Sequence, residues 1–125
     1  MSLLLSTGPT RSYELTVSVD WVHGTVVLRG DLDRESAHQL AGALTALTAT
    51  DHPRWVVDTA EVGWCDAGGL RALAAAHALA VASGRELRLV RPSRCVDRLV
   101  RLSGLHQLIA ESTRGADRVA AARRG

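Results

Sequence analysis

The segment between Trp55 and Leu73 constrains the fold more than any other part of the chain. Its sequence is WVVDTAEVGWCDAGGLRAL. An apolar, extended run ends at Asp66, two glycines follow, and apolar residues at helical spacing begin at Leu70. This pattern predicts a strand, a tight loop and the start of a helix whose N-cap residue is Asp66. Because the first N–H groups of a helix lack intrahelical partners and carry partial positive charge, we expect this loop to receive an anion, a phosphoryl group or an acidic side chain of a partner.

The glycine pair Gly68-Gly69 is unusual at the start of a helix. Each glycine is less favourable than alanine in a helix by about 1 kcal/mol. The pair therefore indicates either a positive φ angle or the close approach of another part of the backbone. The alternative interpretation is an ordinary tight turn between strand and helix.

Length and composition favour one soluble domain. The chain has 125 residues, 46% of them apolar, and no phenylalanine, so an aliphatic core is expected. The net charge of +2 with interspersed signs is not typical of a nucleic-acid-binding protein. No apolar run approaches the roughly 20 residues of a membrane helix. Cys65 and Cys95 have no C-x-x-C spacing, which favours a reducing compartment, and we expect a cytoplasmic protein with no membrane partner.

Hydrophobic periodicity predicts the order β-β-α-β-α-β-α-α in a single α/β domain. We expect a mixed sheet of four to five strands with about four helices, the strands lying near residues 13–21, 25–29, 54–59 and 86–91. The first two strands should form a hairpin, and Asp33 should cap the first helix. The second helix is predicted over Ala67 to Ser83, with an inner stripe formed by Leu70, Leu73, Ala74, His77 and Val81. Residues 1–12 are interpreted as a flexible lead-in, residues 13–110 as the domain, and residues 111–125 as a helix or tail.

Four short motifs occur in the order and at the intervals of a known family. They are LRGDLD at residues 28–33, VVD at 56–58 with DAGGL at 66–70, GRELRLV at 84–90, and LVRLSGL at 99–105. Over residues 13–110 the chain resembles the STAS domain of bacterial anti-sigma factor antagonists. The resemblance implies a protein without enzymatic activity that binds an anti-sigma factor, usually a serine kinase with an ATP site, and so regulates transcription.

The same resemblance identifies a missing phosphoacceptor. In the family, two hydroxyl-bearing residues usually lie between the aspartate and the glycine of this loop, and the second of them is phosphorylated. Here Ala67 and Gly68 stand in their place, so Gly68 is the phosphoacceptor-equivalent position and cannot be phosphorylated. We therefore expect a protein that is permanently equivalent to the unphosphorylated form, or one that is regulated by another route.

The resemblance also places the loop after the second strand beside the Asp66 loop. The predicted partner-binding residues are Asp31, Asp33, Asp66, Ala67, Gly68, Gly69, Leu70 and Arg71. Capping of the first helix is the alternative role for Asp33, and an ordinary solvated side chain is the alternative for Arg71. No cofactor, metal or nucleic acid is expected, and the oligomeric state stays open.

Other residues have competing interpretations. Asp58 lies in an apolar strand and would need a hydrogen-bonding partner if it were buried, so we expect a structural role. Cys65 is either a small buried residue or a thiol whose pKa is lowered by the helix start. An alternative function is a STAS-like ligand-binding or accessory module for a nucleotide, a lipid or a transporter. Enzymatic activity lacks support, because the phosphate-binding glycine motifs and metal-ligand spacings are missing.

Overall fold

The computed structural model describes residues 13–105, which form four strands and three helices in the predicted order. The elements are β1 (Thr16–Asp20), β2 (Thr25–Leu32), α1 (Ala37–Leu47), β3 (Arg54–Cys65), α2 (Ala67–Ala82), β4 (Glu86–Val90) and α3 (Arg94–Ser103). The α/β class and the mixed sheet are thereby confirmed. The predicted lead-in at 1–12 and the predicted helix or tail at 111–125 lie outside the described residues.

The four strands lie in the sheet in the same order as in the chain, β1-β2-β3-β4. β1 and β2 form the predicted antiparallel hairpin, whose turn is closed by Gly24 at a φ of +66°. β3 is parallel to both of its neighbours, β2 and β4. The parallel pairing brings the carboxyl ends of β2 and β3 to one edge of the sheet, where the loops that follow them meet.

The core is mainly aliphatic, as the composition predicts, with Trp55 as its one large aromatic residue. The helices form a layer in which α2 contacts both α1 and α3. The core side chains that are fully buried include Val26, Leu28, Leu32, Leu40, Leu44, Leu47, Trp55, Val57, Leu73, Leu89, Val96 and Val100. Burial of this much apolar surface is the main force that holds the helices on the sheet.

β3 is twice as long as its predicted length. The prediction ended it at Thr59, whereas the strand continues to Cys65 and comprises 12 residues. The prediction rested on a nearly continuous apolar run that ends at Thr59. Beyond that run the strand has two register shifts against β2, between Val27 and Arg29 and between Gly30 and Asp31, so no regular apolar pattern marks its second half.

Two predictions about the helices were wrong in detail. Asp33 does not cap α1 itself: its Oδ1 accepts the N–H of Ser36 at 2.9 Å, and its own N–H donates to Ser36 Oγ at 3.0 Å, in a turn before the helix begins at Ala37. Val81 does not lie on the inner face of α2, because its side chain is 59% exposed. Leu73 is buried as predicted, and the other buried side chains of α2 are the small residues Ala72, Ala76 and Ala80, which permit close packing beside α1.

Candidate functional site

The junction of β3 and α2 has the predicted strand–loop–helix geometry. Asp66 has an extended backbone, and its Oδ1 accepts the N–H of Gly69 at 3.0 Å. The carbonyl oxygen of Asp66 accepts the N–H of Leu70 at 2.8 Å, which closes the first turn of the helix. The N-cap role of Asp66 is thus confirmed.

Gly68 and Gly69 are required because other residues come very close to their Cα atoms. Neither has a positive φ angle. A Cβ atom on Gly68 would lie 2.7 Å from the backbone nitrogen of Arg34. A Cβ atom on Gly69 would overlap the carbonyl oxygen of Leu32 and would lie 2.8 Å from Cys65 Sγ. Both glycines are buried, so this first turn of α2 packs directly on the β2–α1 loop.

A shallow cleft of about 440 Å³ lies where the two loops meet. It is lined by Asp33, Arg34, Glu35, Asp66, Ala67, Gly68 and Arg71. The loop of Asp33 therefore does lie beside the loop of Asp66. Ala67 and Arg71 are exposed, while Asp33, Asp66 and Leu70 are half-buried. Arg34 and Glu35 were not among the predicted partner-binding residues, and their only signal in the sequence is their position next to Asp33.

Asp31 does not line this cleft. It is 8% exposed, its Oδ2 accepts the N–H of Tyr13 at 3.1 Å, and its own N–H donates to the carbonyl oxygen of Tyr13 at 2.8 Å. These bonds attach the segment before β1 to the end of β2. Asp31 therefore supports the edge of the sheet from which the Asp33 loop leaves.

The cleft has mixed charge and contains no hydroxyl group. Three carboxylates and two guanidinium groups are contributed by Asp33, Glu35, Asp66, Arg34 and Arg71. Ser36 follows Glu35, but it is buried and its Oγ donates to the carbonyl oxygen of Asp31 at 2.9 Å. Thr59, the hydroxyl-bearing residue of β3, is also fully buried. Neither hydroxyl is available to a kinase in the folded protein.

Cys65 behaves as a buried structural residue rather than as a reactive thiol. Its burial raises the pKa of the thiol to about 12, and the nearby Cys95, Asp66 and Asp33 act in the same direction. This outcome excludes the lowered pKa that a helix start alone would favour.

Asp58 is also structural: its Oδ2 accepts two hydrogen bonds from Arg91 at 2.8 and 3.0 Å, and its Oδ1 accepts the N–H of Ala60 at 3.0 Å.

Two further features bear on other function classes. Within residues 13–105, no group of three or more histidine, cysteine, aspartate or glutamate residues is arranged to hold a metal ion. No helix in the same range is long and apolar enough to cross a membrane.

The sheet order and the glycine loop define a small α/β domain of the STAS type. A family model described as "Mlab, STAS domain" matches residues 15–110, and the chain therefore belongs to the STAS domain family. No curated protein matches the chain by sequence.

Two solved structures are similar to this chain. One is the crystal structure of an anti-sigma factor antagonist from Mycobacterium paratuberculosis, with 26% identity, a TM-score of 0.62, and coverage of 74% of this chain and 80% of that one. The other is the anti-sigma factor antagonist SpoIIAA in its unphosphorylated form, with 22% identity, a TM-score of 0.61, and coverage of 86% and 96%. The second likeness bears on the fold alone.

Proposed function

We propose that this protein is an anti-sigma factor antagonist that binds an anti-sigma factor of the serine kinase type and regulates transcription from the cytoplasm. The contact surface, here called the docking face, consists of the accessible residues around the start of α2: Asp33, Arg34, Asp66, Ala67, Leu70 and Arg71. Family membership and the likeness to the mycobacterial antagonist support this proposal. Gly68 and Gly69 contribute by letting the two loops pack together beneath the face, and Asp31 supports the sheet edge from which the Asp33 loop leaves.

The observation that carries the proposal is the packing of Gly68 against Arg34. Because a Cβ atom at position 68 would lie 2.7 Å from the backbone nitrogen of Arg34, the two loops meet without any side chain between them. The result is a continuous surface on which an apolar centre at Ala67 and Leu70 is bordered by charged groups. Such a combination of an apolar centre and a charged border is typical of protein-binding surfaces.

The lack of a hydroxyl group in the cleft removes the usual means of releasing the partner. A phosphate would add close to two negative charges at this helix start and would repel carboxylates of a docked protein. No side chain of the cleft carries a hydroxyl group that a serine kinase could phosphorylate. We infer that the protein binds its partner constitutively, so its activity depends on its concentration.

The experiment compares Ala67→Glu with Ala78→Glu. Both alanines are exposed on α2, but only Ala67 lies on the docking face. Glutamate in the first helical turn is favourable for the helix, so Ala67→Glu should fold normally. Purified anti-sigma factors of the serine kinase type from the organism that encodes this chain are tested individually by titration calorimetry.

At least one of these proteins should bind the unmodified chain, and Ala67→Glu should weaken that binding by roughly tenfold or more because a charge is placed in the apolar centre. Ala78→Glu should bind as the unmodified chain does. After incubation of the bound pair with ATP, the mass of the chain should be unchanged. Equal affinity of the two variants, or the mass increase of a phosphoryl group on residues 66–71, would overturn the proposal.

Gly68→Ser would be a poor test of phosphorylation. The added Cβ atom displaces the backbone of Arg34, so a failure of the kinase to label this variant would have two explanations. Ala67 has an exposed side chain and is therefore the better site for a change.

A further inference from the structure

The second half of β3 has a strand neighbour on one side only. β4 pairs with Arg54 to Asp58 and goes no further, whereas β2 pairs with β3 as far as Cys65. The carbonyl oxygen of Thr59 accepts the N–H of Ser93 at 3.2 Å, so the loop before α3 covers the first position beyond β4. Among residues 13–105, no strand lies beside residues 60–64 on the side away from β2. We call these residues the open edge.

An apolar groove of about 580 Å³ lies between the open edge and α3, which touch where Cys95 Sγ donates to the carbonyl oxygen of Val62 at 3.4 Å. Its apolar lining comes from Ala60, Val62, Gly63, Trp64, Cys65, Cys95 and Leu99. Trp64 is 54% exposed. A half-exposed tryptophan beside an unpaired strand edge is a strong anchor for another chain, because covering it removes a large apolar surface from water.

The border of the groove is positively charged. Arg94 and Arg98 lie four residues apart, hence on one face of α3, and both are exposed. Neither forms an ion pair within the described part of the chain, whereas Arg101 on the same helix pairs with Asp97 at 2.9 Å. The positive end of the α3 dipole at Ser93 adds to the same field.

We propose that the open edge binds an extended segment of a partner protein in which apolar and acidic residues alternate. The segment takes the position in line with β4 and pairs its backbone with residues 60–64, as in recognition by strand addition. Its N–H groups replace the weaker thiol donor Cys95 Sγ at the carbonyl oxygen of Val62. Its apolar side chains contact Trp64 and Leu99, and its carboxylates meet Arg94 and Arg98. None of the residues of the docking face lines this groove, so the inference goes beyond the proposed function.

Charge makes the carboxyl-terminal segment of this chain a poorer occupant than an acidic segment. Residues 106–125 carry four arginines and two acidic residues, namely Arg114, Arg118, Arg123 and Arg124 against Glu111 and Asp117. A net positive segment would be repelled by the two arginines of the border. The complementary partner is acidic.

The test uses nuclear magnetic resonance of the full chain and an acetylated, amidated peptide of alternating aspartate and valine. The expected result is shifts of the amide resonances of residues 60–65 and 94–99 and of the Trp64 indole. A peptide of alternating lysine and valine should cause no such shifts. N-methylation of alternate peptide bonds should abolish binding, because it removes the donors that pair with the strand.

Arg94→Gln/Arg98→Gln should weaken binding of the acidic peptide about fivefold, the effect expected when two exposed charge pairs are lost. The control is Arg101→Gln, an exposed arginine of the same helix outside the groove, which should leave the affinity unchanged. The variants act at the surface, so their folding is checked by the unperturbed core resonances.

Three results would overturn the inference. The first is an absence of shifts at the open edge at millimolar peptide, and the second is an equal response to the lysine peptide. The third is occupation by this chain itself, seen as contacts between residues 106–125 and Trp64, or as concentration-dependent shifts of residues 60–65 without peptide. A failure here leaves the Ala67→Glu comparison untouched, so the two proposals fail separately.

Discussion

At the scale of single residues, the glycine pair explains both the packing and the chemistry of the loop. The sequence left three interpretations open: a positive φ angle, a close approach of another backbone segment, or an ordinary tight turn. The contacts of Gly68 with Arg34 and of Gly69 with Leu32 show that the glycines allow the close approach of the backbone of the β2–α1 loop. This distinction was not predictable, because it depends on residues more than thirty positions away. The absence of a hydroxyl, in contrast, was evident from the sequence alone.

Gly69→Ala should lower the free energy of unfolding by roughly 1–3 kcal/mol, because the new methyl group overlaps the carbonyl oxygen of Leu32. Gly42→Ala is the matched control, since Gly42 lies in α1 and an added methyl group there would have nothing within 4 Å of it. That variant should be more stable by roughly 0.5–1 kcal/mol. Urea unfolding followed by circular dichroism measures both changes. A Gly69→Ala variant as stable as Gly42→Ala would contradict the close packing of the loops.

At the scale of helices and strands, Arg85 connects elements that are distant in the chain. It lies between α2 and β4, and its guanidinium group donates to the carbonyl oxygens of Leu47, Thr48 and Thr50 at 3.1, 3.2 and 2.6 Å. The same group lies 5.1 Å from the ring centre of Trp55. Since α1 has no basic residue in its last turn, Arg85 supplies the positive charge that stabilises the carbonyl groups at the carboxyl end of α1.

Arg85→Ala should therefore lower the free energy of unfolding by about 1.5–3 kcal/mol, through the loss of charge-assisted bonds to backbone carbonyls. Arg85→Lys should recover only part of this, because an ammonium group cannot reach three oxygens and also stack on Trp55. Hydrogen exchange at Thr50, whose N–H bonds to Leu47 O at 3.0 Å, reports the fraying of α1. Arg101→Ala serves as the control, with an effect below about 1 kcal/mol expected for an exposed pair. If Arg85→Ala and Arg101→Ala lowered the free energy of unfolding equally, the role of Arg85 in connecting α1 to the rest of the fold would be disproved.

The limits of sequence reasoning are clearest for aspartates and for strand length. Asp66 was correctly predicted as a cap because a strand end, a capping residue and a helical stripe occur together. Asp33 has the same side chain, yet it caps a turn that precedes the helix, and no periodicity marks that turn. β3 was predicted too short because its continuous apolar run ends at Thr59 and register shifts leave no regular pattern in its second half. Three-dimensional pairing, rather than local preference, determined these boundaries.

At the scale of the whole molecule, the parallel pairing of β2 and β3 creates the candidate site. Parallel strands end at the same edge, so the loops at Asp33 and Asp66 meet although they are far apart in the chain. This juxtaposition was expected from the family resemblance and is observed in the cleft. The open edge was not expected, because it results from the difference in length between β3 and β4. Its partner, like that of the docking face, remains a proposal.

The stability of the molecule should decrease in alkaline solution because of Cys65. In the unfolded chain this thiol ionises near pH 9, whereas burial raises its pKa to about 12 in the folded protein. The unfolded state loses the proton first, so stability is fully present below pH 9 and is lost as the pH rises toward 12. The limiting slope is about 1.4 kcal/mol per pH unit. The chain contains no lysine and one tyrosine, so few other groups obscure this effect.

Urea unfolding at several pH values measures this slope. The pH range is roughly 8 to 11, in which the thiol of the unfolded chain ionises. In Cys65→Ala, the free energy of unfolding should decrease less steeply with rising pH than in the unmodified chain. In Cys95→Ala, it should decrease as steeply as in the unmodified chain. Parallel declines in all three proteins would show that Cys65 ionises as easily in the folded state as in the unfolded state.

The contact between Gly68 and Arg34 also has a consequence for evolution. A mutation that replaced this glycine by serine would supply a hydroxyl, but it would meet the main chain of the facing loop and reduce fitness before any signalling benefit arose. A lineage could acquire a serine here only after an earlier, neutral change had widened the gap at Arg34. The close approach is thus an evolutionary barrier: no single tolerated substitution leads from this glycine to a serine, and a lineage selected for control by phosphorylation must acquire the hydroxyl elsewhere.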